Sequence, residues 1–144
     1  MKLFTIGFTQ KSAEKFFSLL CDAGVKRIVD VRLNNTSQLA GFAKKDDLRY
    51  FLKKICHIDY IHLPDLAPTQ EILNAFKKNK GDWAVYQKDF VALLKDRGVE
   101  RSASETIRDN DCLLCSEDTP KHCHRRLIAE YLQNKWGNFE LKHL

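Results

Sequence analysis

Asp111-Cys112-Leu113-Leu114-Cys115-Ser116-Glu117, running on through Asp118-Thr119-Pro120-Lys121-His122-Cys123-His124-Arg125-Arg126, is the stretch that decides the fold. Its first five residues are short, apolar and free of breakers, as a central strand requires. Pro120 ends any regular structure begun in the loop that follows. From Leu127 the apolar residues Leu127, Ile128, Tyr131 and Leu132 fall at helical spacing, and Gly137 stops the helix. Cys115, Ser116 and Glu117 therefore stand where a strand ends, and Cys123, His124 and Arg125 where a helix begins. In an open α/β sheet that junction is the usual place for a ligand, and the exposed N–H groups of a helix start favour an anion.

Working back to the beginning, Leu3–Phe8 reads as a first strand. Ser12 is an N-cap, and Phe16, Leu19, Leu20 and Ala23 form a helical stripe closed by Gly24. Arg27–Arg32 reads as a second strand. Strand, helix and strand in so few residues predict a βαβ unit with two parallel, neighbouring strands. Residues 33–42 are polar and irregular, with Asn34, Asn35, Thr36, Ser37 and Gln38, and border the edge at which Arg32 emerges. Residues 44–56 are expected to be helical, with Leu48, Phe51, Leu52 and Ile55 on one face. Residues 59–63 form a third strand stopped by Pro64. Pro68-Thr69-Gln70-Glu71 starts a helix with Ile72, Leu73 and Phe76 on its apolar side and lysines at its end. Trp83, Tyr86, Phe90, Leu93 and Leu94 form a stripe expected to be core, ended by Gly98. Residues 99–110 read as a short helix or loop, and 139–144 as a last strand. No repeat, linker or low-complexity tract divides the chain. The expectation is a single α/β domain over residues 1–144, with a mainly parallel open sheet of about five strands and helices on both faces.

Composition agrees with that class. The chain has 144 residues, 44% hydrophobic and 30% charged, which suits one soluble domain with a real core. The excess of 24 basic over 19 acidic residues favours anionic partners, a small molecule or a nucleic acid. No apolar run is long enough to span a membrane, so a membrane partner is not expected. Met1–Ile6 is too short, and too soon interrupted by Gly7, to act as a signal peptide. A cytoplasmic protein is expected, with its five cysteines reduced. Nothing in the pattern sets an oligomeric state.

The candidate site residues follow from the shared sheet edge. Thr9, Arg32, Asn34, Ser116 and Arg125 are candidates for holding an anion, the two arginines through their forked geometry. An internal ion pair of Arg32 with Asp30 or Glu117 is the structural alternative. Glu117 is a candidate general acid or base, and equally a group that orients Arg125. His124 is a candidate proton shuttle or a loop anchor. Cys123 stands where a helix start and basic neighbours stabilise a thiolate, so it is a candidate nucleophile or a packed thiol. Asp30, Cys115 and His143 are supporting candidates; His143 reaches the same edge if the last strand is parallel. Cys112-x-x-Cys115 with Cys123 and His122 or His124 superficially resembles a zinc-ligand set. A metal is not expected, because residues three apart on a strand face opposite sides and a metal knuckle needs a turn there. No cofactor is implied.

Taken together, Cys115-Ser-Glu117 followed by Cys123-His124-Arg125 resembles the signature of the bacterial and archaeal family called domain of unknown function 488. Thr5-Ile6-Gly7, Asp30-Val31-Arg32 and Lys142-His143-Leu144 resemble that family's opening segment, its Asp-Val-Arg motif and its closing strand. Phe8 stands where many relatives have His, and Leu66-Ala67-Pro68 where many have Leu-Gly-Gly. The resemblance implies an α/β sheet and no particular reaction. The leading expectation is an enzyme of hydrolysis or group transfer with an anion site at the C-terminal strand edge. One alternative is a non-catalytic nucleotide- or nucleic-acid-binding module with Lys44, Lys45, Lys53, Lys54, Lys77, Lys78 and Lys80 as its basic face. The other is a protein-interaction module whose polar cluster is purely structural.

Overall fold

A computed structural model describes residues 1–36, 41–77 and 81–144. Ser37 and Gln38 of the polar loop, and Lys78 and Lys80 of the basic set, lie outside the described residues. Five strands form one sheet: β1 (Lys2–Gly7), β2 (Arg27–Asp30), β3 (Asp59–His62), β4 (Asp111–Cys115) and β5 (Glu140–His143). Every pairing is parallel, and the order is β3-β2-β4-β1-β5. This is the expected single α/β architecture.

One expectation fails. β1 and β2 are parallel but not neighbours, because β4 lies between them. The reason is burial. Cys112, Leu113 and Leu114 are fully buried, so β4 needs cover on both faces and a partner on both edges. Its register against β2 carries an ion pair: Arg27 donates from Nε and Nη2 to the two carboxylate oxygens of Asp111, at 3.1 and 2.6 Å.

Alternation along the strands divides the core in two. Leu3, Val29, Leu113 and Cys115 face one side, with Phe90, Leu94, Ile128 and Leu132 from the helices that cover it. These helices are α3 (Gln70–Lys77), α4 (Trp83–Arg97), α5 (Val99–Thr106) and α6 (His124–Trp136), the third to sixth in chain order. There Phe4, Ile6, Ile28, Cys112 and Leu114 meet α1 (Ala13–Ala23) and α2 (Lys45–Phe51), the latter continuing as a π-helical turn over Leu52–Cys56. Cys112 and Cys115 thus face opposite sides of the sheet.

The capping signals act as written. The Ser12 side chain accepts from the Lys15 N–H, and Gly24 takes a left-handed conformation past α1. Asp82 caps α4 and Gly98 ends it in the same left-handed way. The cysteine expectation is corrected: α1 and the π turn are joined by a disulfide between Cys21 and Cys56, with Cα atoms 5.4 Å apart. Both belong to helices packed together beneath β2, which brings residues 35 apart in sequence within bonding reach. Cys112, Cys115 and Cys123 are free thiols. No helix among the described residues is long and apolar enough to cross a membrane.

Candidate functional site

Parallel strands deliver their C-terminal ends to one edge, and a cleft of about 250 Å³ opens there on the α3–α4 side. Its floor is built by β4 and the start of α6. Cys115, the last residue of β4, and Cys123 and His124, which open α6, are all buried and all reach the cleft. The Cys115 and Cys123 sulfurs and a ring nitrogen of His124 lie within 4.8 Å of one another.

The orientation of His124 follows from its partners. Its Nε2 is 2.7 Å from the Val31 carbonyl oxygen, which can only accept, so Nε2 carries a proton. Nδ1 then presents its lone pair to the Cys115 sulfur at 3.2 Å in the neutral ring. Phe90 packs edge-on against the imidazole and holds its plane. Burial pushes the Cys115 thiol up, but hydrogen bonds from Cys123 and from the Ser116 and Glu117 amides, together with the Arg125 charge, outweigh burial and hold it below the ordinary thiol range. Burial and the neighbouring Cys115 push Cys123 well above that range. The surroundings therefore favour a thiolate at Cys115 and disfavour one at Cys123, the residue offered in the sequence as a nucleophile or a packed thiol.

The loop after β4 is tied down from behind. The Ser116 carbonyl accepts from the amides of Phe8 and Thr9, and from Thr9 Oγ1 at 2.8 Å. Arg125 is fully buried; its Nη1 donates to the Glu117 carbonyl and its Nη2 to that of Asp118 at 3.3 Å. Lys11 reaches the Asp118 carboxylate at 2.8 Å. Gly7 is required here because a Cβ would stand 1.5 Å from the Glu117 carbonyl oxygen.

On β2 the Asp-Val-Arg segment closes on itself. Arg32 donates from Nε and Nη2 to Asp30 at 2.9 and 2.8 Å, and Tyr60 donates its hydroxyl to the same carboxylate at 2.6 Å. Burial, then the carboxylate, push the Tyr60 hydroxyl far above its usual range. Arg32 also lies over the Phe8 ring, 5.3 Å from its centroid, and borders the cleft.

Of the candidate residues, the structure brings Arg32, Asn34, Cys115, Ser116, Glu117, Cys123 and His124 to the cleft. Four others are elsewhere. Thr9 is committed to the Ser116 carbonyl, Asp30 to Arg32 and Tyr60, and Arg125 to the loop carbonyls. His143 lies on the edge strand with Nδ1 2.6 Å from Thr5 Oγ1, and burial lowers its pKa. Arg125 thus braces the loop from behind.

The opposite wall is built from residues that the sequence pattern assigns to core or to a basic helix end rather than to a site. Phe76, Lys77, Trp83, Tyr86 and His122 line it. Trp83 stacks on both Tyr86 and His122, with centroids 5.0 and 4.8 Å apart. Lys77 pairs with Glu117 across the mouth at 3.1 Å, both side chains half-exposed. The signal was present: a loop that follows parallel β3 opens on the same edge, and it leads into α3. Among the described lysines, Lys44, Lys45, Lys53 and Lys54 belong to the α2 side of the sheet and Lys77 to the α3 side, so they do not share a face.

No curated protein and no solved structure matches the chain. A family model does, over residues 12–132, which include Asp30-Val31-Arg32, the thiol–imidazole floor and most of α6. The chain therefore belongs to the family described as Domain of unknown function DUF488.

Proposed function

We propose that this protein is an enzyme of hydrolysis or group transfer acting on a small, phosphate-bearing substrate with a planar ring. One observation carries the reading: the Cys115–Cys123–His124 cluster opens onto the same cleft that a cation, Lys77, and an aromatic wall, Trp83 and His122, enclose. Buried soft nucleophilic groups beside an accessible pocket are the arrangement expected of a reacting centre. Lys77 would leave Glu117 for the substrate's anion, freeing that carboxylate for acid–base work at the mouth. The exposed edge of the Trp83–His122 stack would receive the ring. Arg32, held by Asp30, presents the rest of its guanidinium to the same space. The cleft suits a metabolite better than a polymer, because the described lysines do not form one continuous track. A cytoplasmic setting fits such a substrate.

The test is a thermal-shift panel of nucleotides, sugar phosphates, short RNA and short DNA at low and high salt. Lys77→Ala and Trp83→Ala serve as controls, and Arg125 is left intact because it braces the loop. A shift from a small phosphate ligand that survives salt and is lost in both variants supports the reading. Shifts from oligonucleotides alone, erased by salt, would replace it with a nucleic-acid-binding module.

A further inference from the structure

We propose that Cys115, Cys123 and His124 bind a single zinc ion whose fourth position opens into the cleft. Setting aside Cys112-x-x-Cys115 removes Cys112 alone, since Cys112 faces the other side of the sheet. The remaining three donors converge from the end of β4 and the start of α6, and two thiolates with one imidazole are a recurrent zinc-ligand set. Around a tetrahedral zinc, with bonds of about 2.3 Å to sulfur and about 2.0 Å to nitrogen, donor atoms stand about 3.5–3.8 Å apart. Here Cys115 Sγ and His124 Nδ1 are 3.2 Å apart and no pair of the three exceeds 4.8 Å, so the ion enters with shifts of well under 1 Å per atom.

The outer partners are what separate this cluster from a chance meeting of thiols. A ligating histidine characteristically donates its other N–H to a carbonyl, and His124 does so to Val31. Cys115 lies under the Ser116 and Glu117 amides, which donate to a thiolate. Cys123 receives the Arg125 guanidinium at 3.5 Å. Each of the three ligands therefore has its own second partner, and one of these partners is a buried cation. Binding releases the two thiol protons to solvent and leaves the Nε2 proton of His124 in place. Two thiolates then balance the charge of the ion. All three residues line the cleft, so the position that the protein does not fill faces it and would accept water or a phosphate oxygen. That chemistry rests on the cleft reading above; the metal site itself does not.

The experiment is cobalt substitution of purified, chelator-treated protein kept under a phosphine reductant, with zinc back-titration. We expect one equivalent of cobalt per chain, a thiolate-to-cobalt charge-transfer band and intense tetrahedral d–d bands, all abolished by one equivalent of zinc. Cys123→Ser and His124→Ala should lose the d–d bands while retaining a folded circular-dichroism spectrum. Cys112→Ser, altered on the other face, should keep them. Where either ligand variant fails to fold, Cys115→Ser supplies the same comparison. Absence of the bands in the wild-type protein, or their persistence in folded Cys123→Ser, would overturn the site. A cobalt-silent protein that still takes a phosphate ligand overturns the metal and leaves the cleft reading standing. A cobalt-binding protein that takes no anion supports the metal and removes that reading.

Discussion

Two buried polar clusters sit on adjacent strands and differ in one respect. Asp30, Arg32 and Tyr60, on β2 and β3, close on themselves: the carboxylate accepts two guanidinium bonds and one phenol bond. Cys115, Cys123 and His124, at the end of β4 and the start of α6, have every outer contact filled while their donor atoms point at one another and at the cleft. The first cluster pairs opposite charges within itself, whereas the second adds to its own thiol–imidazole contacts a separate outer partner for each donor residue. Neither difference in burial nor difference in residue hydrophobicity separates them, because both are nearly inaccessible to solvent.

That contrast is easiest to break on the β2 side. Asp30→Ala leaves the Arg32 guanidinium buried without its carboxylate and the Tyr60 hydroxyl without its acceptor. We expect a loss of about 3–5 kcal/mol of stability, read by urea unfolding. A loss below about 1 kcal/mol would show that the closed cluster does not hold β2 and β3 together. Gly7→Ala comes next. The added methyl meets the Glu117 carbonyl, so the loop must move, at a cost of about 1–3 kcal/mol by the same measurement. Because that loop carries the Ser116 and Glu117 amides over Cys115, cobalt binding should weaken in the same variant.

Cys115→Ser sharpens the comparison from the other side. Serine retains a donor and an acceptor beside His124, so the change in unfolding free energy should stay within about 1.5 kcal/mol, while the charge-transfer band loses intensity. A stability loss as large as that of Asp30→Ala would make the open cluster structural after all. The smallest effect is expected at the part-buried latch between Lys11 and Asp118. Lys11 holds the Asp118 carboxyl below its usual range, so the pair stabilises fully above the ordinary aspartate pKa and is lost as pH falls through the depressed value. Asp118→Asn should lower the melting temperature slightly at neutral pH and not at all in acid; a difference that persists in acid would point to a role other than the ion pair.

Much of the cleft was legible because strand ends and helix starts are local signals. Leu113-Leu114 flanked by polar residues marks β4, and the helical spacing from Leu127 marks α6, so Cys115, Glu117, Cys123 and His124 had to meet. What was not legible depended on partners far away in sequence. Nothing near Arg27 announces that β4 will separate it from β1. Arg125 reads like an anion-binding residue in its motif, and only the path of residues 116–118 turns it inward onto carbonyls. Trp83 was assigned to core by its spacing with Tyr86 and Phe90. Those two are buried, while Trp83, one turn earlier, lies at the rim where His122 meets it. Cys21 and Cys56 lie on helices whose packing alone brings their sulfurs together.

The order of the strands carries a consequence for how the chain reaches its shape. β4 completes the middle of the sheet, yet about eighty residues separate it from β2 and more than a hundred from β1. Until Asp111–Cys115 arrive, the first two strands have no partner between them and their inner edges stay bare. Such distant pairings raise the cost of loop closure, which slows folding and leaves apolar strand edges exposed to other chains. During synthesis the N-terminal strands must therefore wait for the segment that carries Cys115, and the cleft comes into being only in the last stage of folding.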